Sequence, residues 1–233
     1  MGKRWVIGDI HGCIQTFRSL VENKIQPQKT DTLFLLGDYI DRGPDSKAVL
    51  DYIFRLREKN LFHVISLMGN HEYMLIHARE NEDFFKLWLL NSGQTTLSDF
   101  DLLDGNPPES TTLQKIPGIY MEFLLQLSYY AETPGFFLTH GCFTGNATNP
   151  LEDIGSMIWG RIEAYPEDFL DGKILVHGHT PASLEDIRNR IEDPLGKVIN
   201  LDGGCVYKNN AQLGNLVALE LNTLSLTWVK NRD

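Results

Sequence analysis

A chain of 233 residues with 42% apolar and 22% charged side chains can enclose one substantial core and has the composition of an ordinary soluble domain. Its formal charge of -10 and pI near 5.1 argue against broad affinity for nucleic acid or anionic lipid, and no apolar run approaches the roughly 18 residues that a membrane span needs. Cys13, Cys142 and Cys205 are odd in number and lack a Cys-x-x-Cys pair, which fits neither a disulfide framework nor a zinc knuckle, so a cytoplasmic setting is expected.

The opening Met1 to Asp9 sets only three apolar residues behind two basic ones, too few for a secretory leader, and Val6 stands where myristoylation needs Ser or Thr. Arg4 to Ile7 reads as a strand, Gly8 to Gly12 as a turn, and Ile14, Phe17, Leu20 and Val21 fall at helix spacing. The unit recurs: Asp31 to Leu36 is a buried strand, Gly37 to Asp45 a loop, and Ser46 to Lys59 a helix with Val49, Leu50, Ile53, Phe54 and Leu56 inward. A third unit runs from the strand Leu61 to Met68 through Gly69-Asn70-His71-Glu72 into a helix at Tyr73 to Arg79. Alternating β and α predict a parallel sheet whose ligands bind beyond the carboxyl ends of the strands.

From about Asp83 to Leu127 the pattern is mainly helical, broken by the acidic, turn-rich stretch Asp101 to Ser110, and is expected to form a cap-like insertion in a single domain spanning 1–233. Strand signals return after Tyr129. The Thr133-Pro134-Gly135 turn leads into Phe136 to Thr139, followed by Lys173 to Val176, Lys197 to Leu201, and a hairpin of Leu216 to Leu221 with Leu224 to Val229. Strands in both halves predict two packed sheets with helices outside.

The loops behind these strands carry the chemistry. Asp9 and His11 follow the first strand, Asp38, Asp41 and Arg42 the second, and Asn70, His71 and Glu72 the third; His140 follows Phe136 to Thr139, while His177 and His179 follow Ile174 to Val176. Carboxylate, imidazole and amide oxygen suit borderline divalent ions such as zinc, manganese or iron. A single Asp or His in a turn is most often a cap or turn former. Five glycine-rich loops of this kind, each behind an apolar strand, are not explained by capping and read as one site.

The strings Gly-Asp-Ile-His-Gly at 8–12, Gly-Asp-Tyr-Ile-Asp-Arg-Gly at 37–43 and Gly-Asn-His-Glu at 69–72 resemble the phosphoprotein phosphatase family of binuclear metallophosphoesterases, in its short bacterial and phage lambda phosphatase-like branch. The resemblance runs from Arg4 to about Tyr73 and resumes at Thr139-His-Gly, Trp159-Gly-Arg161, Val176-His-Gly-His-Thr180 and Leu201-Asp-Gly-Gly204. It implies a four-layer α/β/β/α sandwich of two mixed sheets flanked by helices. It also implies two divalent ions, manganese first with iron or zinc as alternatives: Asp9 and His11 would hold one, Asn70, His140 and His179 the other, and Asp38 would bridge them.

The implied reaction is hydrolysis of phosphomonoesters, including phosphoserine and phosphothreonine in proteins, by in-line attack of a hydroxide held between the ions. Arg42 and Arg161 would clamp the phosphate, and His71, oriented by Asp41, would protonate the leaving oxygen. Symmetrical diadenosine tetraphosphate hydrolase, a related enzyme, shares the Gly-Asp-x-His-Gly-Cys opening seen at Gly8 to Cys13. It usually reads Gly-Asn-His-Asp and lacks the Asp of Asp41-Arg42, so Glu72 and Asp41 favour the phosphatase. An inactive metal-binding scaffold would be marked by a lost ligand, clamp or acid, and none is missing.

In some metallophosphoesterases a ligating His follows Gly-His-x, where this chain has Pro181; the resemblance therefore selects His179 and leaves His177 either supporting the ligands or near substrate. Cys13 and Cys142 would make the site sensitive to oxidation if either sulfur faced the metals, and are otherwise small packed residues. The loop Gly141 to Asn149 departs from the family pattern. Leu201 to Tyr207 does not match the groove loop of the eukaryotic members, so their inhibitors and regulatory subunits are not carried across.

Overall fold

The computed structural model describes residues 2–58, 62–143, 150–161, 169–193 and 195–233. In chain order the strands are β1 (Arg4–Ile7), β2 (Thr32–Leu35), β3 (His63–Ser66), β4 (Tyr130–Thr133), β5 (Phe136–Thr139), β6 (Ile174–His177), β7 (Val198–Asn200), β8 (Asn215–Glu220) and β9 (Ser225–Lys230). The helices are α1 (Ile14–Ser19), α2 (Ser46–Glu58), α3 (Asn70–Ala78), α4 (Glu82–Leu90), α5 (Gly93–Asp99), α6 (Gly118–Leu125), α7 (Ile154–Trp159) and α8 (Leu184–Glu192).

One sheet has the order β3-β2-β1-β8-β9, with β1, β2 and β3 parallel and β8 and β9 antiparallel; the other, β4-β5-β6-β7, is parallel except for the β4–β5 hairpin. The two-residue period of a strand explains why the sheets stack. Trp5, Ile7, Leu33 and Leu35 point to one side and join the core under α1, α2 and α3. Val6, Phe34 and Leu36 point to the other and meet Phe136, Leu138, Val176 and Ile199 of the second sheet. Phe137, Leu175 and Val198 face outward again onto Cys142, Phe143 and Met157. The result is the expected sandwich of two mixed sheets between helices.

The middle segment does not stand apart from this core. Phe85 and Trp88 of α4, Leu97 of α5, Leu113 of a 3-10 turn (Ser110–Lys115) and Tyr120 and Leu124 of α6 join the same apolar cluster as Trp5 and Ile7. Asn81 starts α4 by accepting the Asp83 and Phe84 N–H groups, as an N-cap does.

Two local features differ from the periodicity. α1 ends at Ser19 and continues as a π-helical turn, Leu20–Ile25, closed by Gln26 at φ 47°. A strand, β4, precedes the Thr133-Pro134-Gly135 turn, so that turn closes a hairpin. Residues 59–61, at the predicted junction of α2 and β3, and 144–149, in the predicted loop after His140, lie outside the described residues. Among the described residues no helix is long and apolar enough to cross a membrane.

Candidate metal centre

The loops after β1, β2, β3, β5 and β6 meet at the carboxyl edge of the two sheets, and backbone bonds join some of them directly, Ile10 N–H to Asp38 O at 3.1 Å and Gly178 N–H to His140 O at 2.9 Å. Gly37 has φ +111°, and a Cβ there would lie 2.5 Å from Gly69 N, so only glycine lets the second and third loops touch. That contact places Asp38 beside Asn70. His11, Asp38, Asp41, Arg42 and His179 all have positive φ, between 47° and 71°, in a region that non-glycine residues rarely occupy. Such outliers gather where surrounding structure enforces a functional geometry.

Glu72 is the fastening. Three residues past Gly69, its buried carboxylate accepts the N–H groups of Gly69, Asp38, Tyr39 and Ile40 at 3.1, 2.8, 2.7 and 3.2 Å, which ties the β2 loop to the start of α3.

Asp38 lies at the centre, almost fully buried. Its Oδ2 is 3.4 Å from His11 Nε2 and 4.0 Å from His71 Nε2, and its Oδ1 is 3.4 Å from His140 Nε2. Asn70 Oδ1 lies 3.0 Å from both His140 Nε2 and His179 Nδ1, and those two nitrogens are 3.2 Å apart. Two groups result, His11–Asp38–His71 and Asp38–His140–His179, each with its donor atoms within 4.8 Å of one another. Asp38 belongs to both.

The outer hydrogen bonds set which nitrogen faces inward. His11 Nδ1 donates to Ile40 O at 2.9 Å and His140 Nδ1 to Leu36 O at 3.2 Å, leaving both Nε2 lone pairs aimed at the centre. Burial, outweighing Asp38, holds both imidazoles below the ordinary histidine range, and burial together with His140 lowers His179 to about 3. Neutral His140 thus sets a lone pair against two oxygens, Asn70 Oδ1 and Asp38 Oδ1, an arrangement that repels until a cation lies between them. His71 Nε2 and His179 Nε2 are buried without a hydrogen-bond partner.

The acids tell the same story. Burial, then Asp202 and Asp38, raises Asp9 well above the carboxylate range, and burial, with the Asp38 charge adding, raises Asp202 to about 7 despite the Gly204 N–H. Asp38 is held low, because its imidazole and Arg42 neighbours overcome burial. A buried site so rich in mutually repelling acceptors fits divalent cations.

The predicted residues are not all equally close. Asp9 is buried and accepts the His179 N–H at 3.1 Å but falls in neither donor group, whereas His71 joins His11 and Asp38. His71 Nδ1 donates to Asp41 Oδ2 at 2.7 Å. Burial opposes charge on His71, but the Asp38 and Asp41 carboxylates outweigh it and lift its pKa above the ordinary value. Arg42 Nη1 donates to His11 Nε2 at 2.9 Å. Arg161, exposed just after α7, is near enough for its charge to disfavour protonation of His179. Cys13 Sγ donates to His11 O at 3.4 Å rather than facing the imidazoles, and Cys142 packs in the outer apolar cluster.

Sequence reasoning misses the residues that hold Asp41. Trp88 Nε1 donates to Asp41 Oδ2 at 2.8 Å and Thr96 Oγ1 to Asp41 Oδ1 at 2.5 Å, so α4 and α5 reach into the site. Asp202 and Glu72 lie inside the family-like strings, but nothing in those strings gives them a role.

The sequence profile of the calcineurin-like phosphoesterase family matches residues 2–213. Over 90 residues the chain is 43% identical to serine/threonine-protein phosphatase 1 of Salmonella typhimurium, covering 38% of each protein. Over 91 residues it is 37% identical to the symmetrical bis(5'-nucleosyl)-tetraphosphatase of Buchnera aphidicola, covering 36% of this chain and 32% of that one. The chain therefore spans well under half the length of these relatives. A crystal structure of a candidate diadenosine tetraphosphatase superposes with TM-score 0.64 at 24% identity, covering 100% of this chain and 95% of that one, a likeness of fold.

Proposed function

Because the chain belongs to the calcineurin-like phosphoesterase family, we propose that it is a cytoplasmic metal-dependent phosphatase acting on phosphomonoesters, including phosphoserine and phosphothreonine in proteins. The observation that carries this reading is Asp38 shared between two buried donor groups, with the His71–Asp41 pair at its side. Asp9, His11 and Asp38 would hold one divalent ion, and Asp38, Asn70, His140 and His179 the second, with manganese the first candidate and iron or zinc the alternatives. Divalent ions held by these residues would supply Lewis acidity, lowering the pKa of water from 15.7 to about 7 so that a nucleophile is available at neutral pH.

The chain's own residues do the rest. His71 presents an unpartnered Nε2 and, lifted in pKa, carries the proton that a departing alkoxide needs. Asp41 fixes the ring through Nδ1. Arg42 and Arg161 bring guanidinium groups to the phosphate oxygens and offset the charge that builds on them.

Purified protein supplied with each metal, assayed on a phosphoserine peptide, a nucleoside monophosphate and diadenosine tetraphosphate, tests the reading. The phosphopeptide is expected to give the highest kcat/KM. A preference for the dinucleotide would instead support the second reading, which the tetraphosphatase relative favours, and silence on all three would favour an inert metal-binding scaffold.

Two further outcomes follow from packing. A Cβ at Gly178 would lie 2.1 Å from Asp9 Oδ1, so Gly178→Ala must displace that carboxylate; calorimetry is expected to show one of two ions binding about 10- to 100-fold more weakly. Parental affinity for both ions would remove Asp9 from the ligand set. Trp88→Phe keeps most of the buried volume but deletes a donor to Asp41, and kcat is expected to fall about 10-fold with metal affinity unchanged, as for loss of one hydrogen bond to a charge.

A further inference from the structure

The hold on Asp41 extends beyond the Trp88 and Thr96 bonds to its carboxylate. Its backbone N–H is directed at two hydroxyl oxygens, Ser46 Oγ at 3.0 Å and Thr96 Oγ1 at 3.1 Å, which are themselves 3.0 Å apart. Asp41, Ser46 and Thr96 are all fully buried. The contact matters because Asp41 has φ 68°, a left-handed conformation that a residue other than glycine keeps only where its surroundings enforce it.

Ser46 is itself held in place. As the first residue of α2 it carries one of the N–H groups that a helix leaves without an internal partner. Asp45 Oδ1 accepts the Ala48 N–H at 2.8 Å, and the Ser46 N–H goes instead to Asp99 Oδ2 at 2.6 Å. Asp99 ends α5, three places after Thr96, a spacing that sets both side chains on one face of that helix. One face of α5 therefore bonds Asp41 directly through Thr96 and, through Asp99, fixes the residue whose hydroxyl receives the same Asp41 N–H. Burial raises the Asp99 pKa to about 6 against the Ser46 bonds that lower it, with Asp45 and Asp41 adding to the rise. An oxygen able to accept the Ser46 N–H remains in either protonation state.

We infer that Asp99 is a positioning residue for the His71–Asp41 pair: by fixing Ser46 it holds the Asp41 backbone in its left-handed conformation, and with it the aim of the Asp41 carboxylate at His71 Nδ1. Asp99 touches no reacting atom. Its consequence for turnover rests on the reading of His71 as the proton donor, whereas its effect on the His71 ring does not.

The test uses the full chain supplied with zinc, which is diamagnetic, and follows the His71 Nδ1–H resonance together with turnover of an alkyl and an aryl phosphate. Asp99→Ala removes the acceptor. It is expected to move or broaden that resonance and to lower kcat on the alkyl ester about fivefold, the worth of one hydrogen bond, with KM unchanged and a smaller loss on the aryl ester. Asp99→Asn keeps an oxygen for the Ser46 N–H and is expected to restore both the resonance and the rate. Ser46→Ala cuts the same connection at its other end and keeps the test open if Asp99→Ala fails to fold; the double variant is expected to lose no more than either alone. An unmoved His71 resonance in Asp99→Ala and Ser46→Ala, no recovery in Asp99→Asn, or additive losses would overturn the proposal. A moved resonance with equal losses on the two esters would uphold Asp99 in its role and count against His71 as the acid.

Discussion

Asp38→Asn is expected to strip the protein of its paired metal site and to lower turnover by about 10³-fold or more. Two dications about 3.5 to 4 Å apart repel four times as strongly as two unit charges, whose energy at that distance is about 4 kcal/mol in a partly shielded site. Only an anion between them offsets this, and Asp38 alone belongs to both donor groups. Asparagine keeps the size of the side chain and an Oδ1 able to accept the His71 N–H, now 3.1 Å away, so the fold should survive. What goes is the charge. Elemental analysis and calorimetry are expected to find two ions in the parent and at most one in the variant. Two ions at parental affinity would show that Asp38 does not bridge.

The loops that gather at the candidate metal centre are legible in the sequence because each obeys a local rule. An apolar run ending in glycine and a carboxylate or imidazole announces a strand and a turn, and the alternation of strands and helices puts the turns on one edge. The stacking of Val6, Phe34 and Leu36 on the second sheet follows equally from a period of two. Distances between loops are another matter. Nothing in the local pattern shows that His71 joins the His11–Asp38 pair while Asp9 does not, or that Asp9 spends its carboxylate on the His179 N–H.

The middle segment is the sharpest case. Its helices read as an insertion without a signature, since Trp88 and Thr96 sit in apolar and polar positions like any others. Their meaning arises only from tertiary contact, 47 and 55 residues away from Asp41. The π-helical turn at Leu20–Ile25 is similarly silent in the sequence, because its apolar residues keep ordinary helix spacing.

His71 decides between two accounts of the centre. Its Nε2 is buried, unpartnered and 4.0 Å from Asp38 Oδ2, a position from which it could ligate an ion as well as protonate a leaving group. A ligand must offer a lone pair and an acid must offer a proton. The Asp38 and Asp41 carboxylates favour the protonated ring, and Asp41, itself fixed by Trp88 and Thr96, accepts the Nδ1–H hydrogen bond, so that the Nε2–H of that ring is directed inward. His71→Asn is therefore expected to slow turnover by about 10² to 10⁴, the usual worth of one positioned proton donor, while both ions bind as before. The loss should shrink for substrates such as aryl phosphates, whose leaving oxygen departs without a proton. If the variant instead releases an ion, or loses as much on an aryl ester as on an alkyl one, His71 is a ligand and the proton must come from elsewhere.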